Sequence, residues 1–383
     1  MTVLVHGARK LDADGVVDDF WLLTGDGTIT ATGTGDSWRA SGVVPADAEI
    51  VDATGDWLTP GFIDLHAHGG GGHSFDDGAD AIRAGLAVHR AHGTTRSVIS
   101  LVANPPHVLA ASLDAIARIA ADDPLVLGSH LEGPFLAPSR KGAHDPDFLG
   151  VPTHHVLKQL LEASEGRLVQ VTIAPELPGA LEAIGTFASA GAVVAVGHTD
   201  AGLDLAREAF DRGATLLTHA FNAMPGIHHR EPGPVTAALD DPRITLELIA
   251  DGVHVHPAVL ALAFAAAPGR IALVTDAMAA AGAPDGEYHL GSLPVTVRDG
   301  VATLADAAPT IAGSTLTQDA ALRTTVAAGV DPVAAVTALT ATPARVLDRP
   351  DLGRLAPGYA ADLVLLTATF DVTHVWAAGR PLR

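Results

Sequence analysis

Gly61-Phe62-Ile63-Asp64-Leu65-His66-Ala67-His68 is the stretch from which the fold can be read. It follows Thr59-Pro60 and runs apolar through Phe62, Ile63 and Leu65. It ends in two histidines on alternate residues, before Gly69-Gly70-Gly71-Gly72. In a strand, residues i and i+2 point to the same side. His66 and His68 at a strand end can therefore grip one metal ion, and neutral imidazole is a common ligand. A lone pair of this kind also suits two ordinary strand-end histidines. The reading turns on whether the chain supplies more ligands at equivalent places.

Working outward, apolar strand-like runs recur at Phe62–Leu65, Thr94–Leu101, Leu125–Leu131, Leu168–Ile173, Ala192–Val196, Thr215–Leu217, Ile244–Ile249 and Ile271–Val274. The stretches between them, such as Asp80–Ala91, Leu109–Ala120 and Leu203–Phe210, carry apolar residues at three and four spacing, the mark of an amphipathic helix. Near-continuous apolar strands alternating with helices predict a parallel sheet covered by helices. Eight such units predict a (β/α)8 TIM barrel over residues 58–350. Pro284–Ala308 reads as a β insertion after the eighth strand.

The two ends differ from this middle. Val3–Val5, Phe20–Leu23 and Glu49–Val51 are short apolar runs separated by turn-forming Gly, Asp and Thr, and Leu363–Leu366 and Val372–Trp376 look alike. Neither end has enough strands to bury a core alone. Residues 1–57 and 351–383 are therefore expected to pair into one small β-sandwich domain.

Composition narrows the chemistry. The chain has 383 residues, 48% hydrophobic and 17% charged, which predicts an ordered globular protein. Cysteine is absent, so any metal must be held by His, Asp or Glu. A net charge of -21 disfavours nucleic acid and anionic membrane as partners. The start Met1–His6 lacks the basic residues and long apolar core of a signal peptide. The apolar run near Val259–Ala267 falls short of the ~18–20 residues that span a bilayer. A cytoplasmic location is the default expectation.

In a barrel of this type the active site lies at the C-terminal ends of the strands. The first strand ends in His66 and His68, the third in His130 and Glu132, the fifth in His198 and the sixth in His219. Asp251 and His254 follow the seventh, and Asp276 follows the eighth. Each alone has a plain structural reading; Asp276, for instance, suits a helix N-cap. Imidazole or carboxylate at six of eight strand ends, in a cysteine-free chain, favours a metal centre. The candidate ligands are His66, His68, Glu132, His198 and His219. With all five, two ions fit, with Glu132 shared; one ion would leave some histidines outside its shell. A divalent ion lowers the pKa of its water from ~15.7 toward ~7, and a nearby carboxylate can then move the proton. Asp276 is the candidate for that shuttle and a further ligand at the edge of the centre. Zinc leads the expectation, with iron, manganese, cobalt or nickel as alternatives.

These residues resemble the amidohydrolase superfamily, and within it the N-acetylglucosamine-6-phosphate deacetylases. The resemblance spans almost the whole chain. Pro60–His68 and the closing Pro357-Gly358-Tyr359-Ala360-Ala361-Asp362 are superfamily features. His130-Leu131-Glu132-Gly133-Pro134-Phe135 and His219-Ala220-Phe221-Asn222-Ala223-Met224 are more specific to the deacetylases, joined by Lys141–His144, Arg230–Gly233, Asp251–His254 and Ile311–Ser314. The resemblance implies hydrolysis of N-acetylglucosamine 6-phosphate to glucosamine 6-phosphate and acetate, with N-acetylgalactosamine 6-phosphate, or another amidohydrolase reaction of the same chemistry, as the alternative. It implies that Glu132, His198 and His219 hold the main metal and that His66 and His68 hold a second. Some relatives lack this pair and work with one ion, so its presence favours two. Asp276 would be the acid/base, and His144 would polarise the acetyl carbonyl. Asn222, the Ala223 amide, Arg230 and His254 would hold phosphate and sugar, and Ala143, Ile311, Ala312 and Gly313 would line the sugar pocket. It also implies a homodimer in which Arg230 reaches the neighbouring active site. An anionic substrate fits Arg230 on physical grounds, since guanidinium matches phosphate geometry and this chain is otherwise acidic.

Overall fold

The computed structural model describes residues 2–40, 44–305 and 310–383. Eight parallel strands form one sheet, with sequence neighbours adjacent in order: Phe62–Asp64, Thr94–Leu101, Val126–Glu132, Leu168–Ile173, Val193–Val196, Ala214–Leu217, Thr245–Ile249 and Ile271–Val274. The expected strands all form, within a residue or two of the expected ends. The sheet nearly closes on itself. Ala67 bridges Ala277 in parallel, His68 N–H donates to the Ala277 carbonyl at 2.7 Å, and Asp276 N–H donates to the His66 carbonyl at 2.8 Å. Closure therefore brings the segment after the first strand against the segment after the last.

Helices follow the strands, most of them amphipathic. Pro106–Asp122 shows the logic. Pro106 opens it, where a missing N–H costs nothing. Leu109, Leu113, Ile116 and Ala120 recur at three and four spacing, and all are buried. Each such leucine stabilises the fold by ~1.5–3 kcal/mol through burial. Asp123-Pro124 ends the helix.

The chain divides into two compact units. One comprises residues up to Asp64, His89–Arg96 and Gln318–Arg383; the other comprises Leu65–Val88 and Ser97–Thr317. The first unit carries the expected terminal β domain. Val3–Asp12, Gly15–Gly25, Thr28–Thr34, Glu49–Asp52, Trp57–Pro60, Leu363–Leu366, Val372–Ala377 and Arg380–Pro381 make one eight-stranded sheet, in which Trp57–Pro60 joins strands from the two ends of the chain. Val3, Val5, Phe20, Leu22, Leu58, Leu363, Leu365 and Trp376 form its core.

In the second unit, the β insertion is a three-stranded antiparallel sheet of Gly286–Leu290, Leu293–Arg298 and Val301–Leu304. Its Val295, Val297 and Leu304 cluster with Ala143, Met278 and Ala312. Residues 306–308 of the expected insertion lie outside the described residues. Among the described residues, no helix is long and apolar enough to cross a membrane.

Candidate active site

All six candidate metal-binding residues meet at the C-terminal end of the barrel, and all are buried. They form two clusters that share Glu132. In one, His198 Nε2, His219 Nε2 and Glu132 Oε1 make a triangle with every side 3.0 Å. In the other, His66 Nε2 lies 3.0 Å from His68 Nε2, and Glu132 Oε2 lies 3.1 Å from His68 Nε2. Asp276 Oδ1 completes it, 3.5 Å from His66 Nε2 and 3.4 Å from His68 Nε2.

These atoms fit metal binding. Donor atoms held ~2.0–2.2 Å from one ion lie about 2.8–3.6 Å from each other. With the histidines neutral, as metal ligands are, lone pairs face each other across these contacts. His198 Nδ1 lies 2.8 Å from the Arg140 carbonyl, which can only accept. Neutral His198 therefore carries its proton on Nδ1 and aims the Nε2 lone pair at the Glu132 carboxylate. A cation resolves that contact. The buried His/Glu/Asp clusters thus suit a binuclear centre, with oxygen and nitrogen ligands open to several divalent metals.

Local structure explains why these side chains converge. His198, His219 and Asp276 have φ values of 47°, 26° and 47°. Side chains other than glycine rarely adopt this left-handed backbone, and such strain concentrates at functional sites. Each residue lies two positions past the end of a barrel strand, where the turn aims its side chain over the barrel end. Gly142 has φ +54°, and a Cβ there would sit 3.1 Å from His198 Cε1. Glycine lets the loop bring the Arg140 carbonyl onto the imidazole. Glu176 clamps the next loop, accepting from Thr199 Oγ1 at 2.5 Å and Asp200 N–H at 2.6 Å.

Beneath the clusters the barrel interior is polar. Ser100 Oγ, His130, Thr172 Oγ1 and Thr218 Oγ1 form a continuous hydrogen-bonded chain with steps of 2.8–2.9 Å. Burial first, and then the neighbouring His66, hold His130 well below the usual imidazole range, so it is a neutral structural link. Glu247, fully buried, accepts from Gln170 Nε2 at 2.8 Å and from His219 N–H at 3.4 Å, and its Oε2 lies 3.5 Å from His66 Nδ1. Glu247 and Gln170 were not singled out from sequence. A carboxylate inside the apolar run Thr245-Leu246-Glu247-Leu248-Ile249 was the available signal.

A cavity of about 550 Å³ opens over the clusters. Of the residues expected to bind substrate, Ala143, Asn222, Ala223, His254, Ile311 and Gly313 line it, as does His144. Ala312 is fully buried beside them, its N–H donating to the Ala302 carbonyl. Arg230 lies in an exposed run from Gly226 to Glu231, away from the cavity lining of the single chain. Arg140 and Lys141 line the cavity and were not expected. Arg140 Nε is paired with Asp200 Oδ1 at 2.5 Å.

His144 is held in one tautomer. Ala103 N–H donates to its Nδ1 at 3.1 Å, so the proton sits on Nε2, which lies 3.3 Å from Glu132 Oε2. Burial pushes His144 down to about 4, outweighing Glu132, so the ring is a neutral hydrogen-bond donor at pH 7. Burial also opposes the charge on Glu132, but His66 and His198 hold it well below the usual carboxylate range. Burial would lower His254 too, yet its 2.6 Å bond to Asp251 raises it above the usual imidazole value.

Comparison with known proteins agrees with this geometry. Residues 57–382 match the amidohydrolase family. An N-acetylgalactosamine-6-phosphate deacetylase of Escherichia coli O157:H7 is 40% identical over 99% of both chains. An N-acetylglucosamine-6-phosphate deacetylase of Vibrio furnissii is 33% identical over 98% of this chain and 92% of the relative. Among solved structures, a mutant N-acetyl-D-glucosamine-6-phosphate deacetylase from Mycobacterium smegmatis, in complex with N-acetyl-D-glucosamine-6-phosphate, is 41% identical with a TM-score of 0.93, covering 100% of this chain and 99% of that one. Fold, buried ligand clusters and full-length similarity converge: the chain belongs to the amidohydrolase family, in its branch of N-acetylhexosamine-6-phosphate deacetylases.

Proposed function

We propose that this protein hydrolyses the acetamide of N-acetylglucosamine 6-phosphate, giving glucosamine 6-phosphate and acetate. The observation that carries the reading is Asp276, a carboxylate on the cavity wall within 3.5 Å of His66 Nε2 and 3.4 Å of His68 Nε2, beside clusters whose lone pairs need a cation. His198, His219 and Glu132 would hold one divalent ion, and His66 and His68, with Glu132 and Asp276, a second. Such ions, when bound, lower the pKa of water and draw electron density from a carbonyl.

The remaining work falls to side chains. Asp276 takes the proton that the attacking water loses as its oxygen bonds to the acetyl carbon. It returns that proton to the amide nitrogen as the C–N bond breaks, so that one water is added across the amide. His144 donates its Nε2–H to the acetyl oxygen as negative charge develops there. Asn222, the Ala223 N–H and His254 hold the sugar phosphate from the cavity wall, and Ala143, Ile311 and Gly313 shape the sugar site.

N-acetylgalactosamine 6-phosphate is the second reading, favoured by the 40% identical relative of that name. The two sugars differ only in the configuration at C4. Acetate release by the metal-loaded protein is the test, with kcat/KM compared on both sugars. The proposal expects the higher value on the glucosamine derivative. A higher value on the galactosamine derivative reassigns the substrate, and no acetate from either removes the reaction.

A further inference from the structure

Asp251 has no place in the chemistry above, yet its carboxylate is fully engaged beside His254 of the cavity wall. It follows the seventh strand, Thr245–Ile249, and its side chain organises the turn Asp251-Gly252-Val253-His254. Oδ1 accepts from Val253 N–H at 2.9 Å and from His254 N–H at 2.8 Å, and Oδ2 meets His254 Nδ1 at 2.6 Å. The turn needs Gly252, whose φ is +78°. Both side chains are largely enclosed, at 7% exposure for His254 and 14% for Asp251. His254 lines the cavity with Nδ1 already committed, so the ring presents Nε2 to a ligand.

We propose that Asp251 is a positioning residue for the substrate's phosphate: it fixes the His254 ring and directs Nε2–H into the cavity, so that affinity for the phosphorylated sugar falls at alkaline pH. This rests on the reading of the cavity as a sugar-phosphate site. The other local cations support the need for such a device. Arg140 is engaged by Asp200, and the Lys141 ammonium is turned toward the Gly142 and His144 carbonyls. In a protein of net charge -21, a cation made by a buried ion pair is a local answer to a dianion.

The sign follows from the groups that face His254. Burial disfavours its charge, and Asp251, then Asp276 across the cavity, favour it, with a net rise. Arg140 and Lys141 on the loop opposite and the Glu132 cluster on the floor are the other ionisable neighbours in the cavity. Asp251 is held below the usual carboxylate range: burial opposes its charge, but the bonds from His254 and the turn N–H groups outweigh it. A raised imidazole keeps its charge to higher pH than a free one, and discharges as pH rises through its raised value. The phosphate's own second ionisation, near ~6, lies on the acid side and leaves the alkaline limb to His254.

Asp251→Asn isolates the charge, because Asn keeps a carbonyl oxygen for the turn N–H groups. At pH 8 its KM for N-acetylglucosamine 6-phosphate is expected to rise about tenfold, the effect of one charge-assisted hydrogen bond. Its kcat should stay within about twofold, and the alkaline limb of kcat/KM should move to lower pH. KM for unphosphorylated N-acetylglucosamine should not move. His254→Gln, which cannot be charged, should abolish that limb whether or not Asp251→Asn folds. Unchanged KM and an unchanged limb, with only a lower Tm, would make Asp251 structural and overturn the proposal. An equal loss on both sugars would overturn it too. Absence of acetate release by the unaltered protein is a different failure, that of the underlying reading.

Discussion

At the residue scale, the site depends on side chains held in directions that ordinary strand geometry does not supply. Asp276 has left-handed backbone, with its N–H bonded to the His66 carbonyl and its own carbonyl bonded to Ser314 N–H. Gly313 accommodates this, with φ +62° and space for only a hydrogen beside the Asp276 carbonyl. The carboxylate is thus aimed by backbone bonds that a side-chain change does not touch. Asp276→Asn should fold normally and bind substrate with KM within a few-fold. It cannot take a proton, so kcat should fall by about 10²–10⁴. Metal content is measured beside the rate. If kcat falls in proportion to lost metal, Asp276 acts only as a ligand, and a near-normal kcat removes it from the chemistry. His66, His68, Glu132, His198, His219 and Asp276 were legible in the sequence because strand alternation and strand ends place them. Glu247 and Gln170 were not, because a buried polar pair 77 residues apart leaves no periodic trace.

At the element scale, the barrel strands were readable from apolar runs, even where the first is only Phe62–Asp64. What the runs could not show was the closing of the sheet. The Ala67–Ala277 bridge is one residue pair outside any strand, and it brings Asp276 against His66 and His68. The closing motif Pro357–Asp362 likewise had no visible reason in sequence. Its Asp362 accepts from Arg96 Nε at 2.6 Å and Nη2 at 3.2 Å, and from Ala378 N–H at 2.7 Å, with both charged side chains buried. Removing one partner of a buried pair leaves an uncompensated charge, which costs about 3–5 kcal/mol. Asp362→Ala should therefore lower the urea midpoint strongly, whereas the surface variant Asp80→Ala, whose pairing with Arg83 is exposed, should not. Circular dichroism against urea measures both, and equal midpoints would show that the Arg96–Asp362 pair is not a stabilising element.

At the scale of the whole molecule, the acidic chain and the proposed anionic substrate are reconciled only locally. The cavity's own basic residues include Arg140, Lys141 and His254, and the first and last of these are tied to carboxylates. Arg230, expected from sequence as a phosphate contact, sits instead in the exposed run Gly226–Glu231, next to Ile227 at 52% exposure. The expectation is that Arg230 serves a neighbouring site in a two-fold homodimer. Arg230→Ala alone should raise KM for the phosphorylated sugar and leave the unphosphorylated sugar unaffected. Mixing decides where the arginine acts. Arg230→Ala subunits keep Asp276, and Asp276→Asn subunits keep Arg230. If the arginine is donated across the dimer, co-refolding equal amounts yields mixed dimers with one complete site. Activity at low substrate should then recover to about a quarter of the unaltered level, since half the dimers are mixed and each holds one complete site of two. If Arg230 serves its own subunit, no site in the mixture is complete, and the rate stays at the sum of the two separate variants.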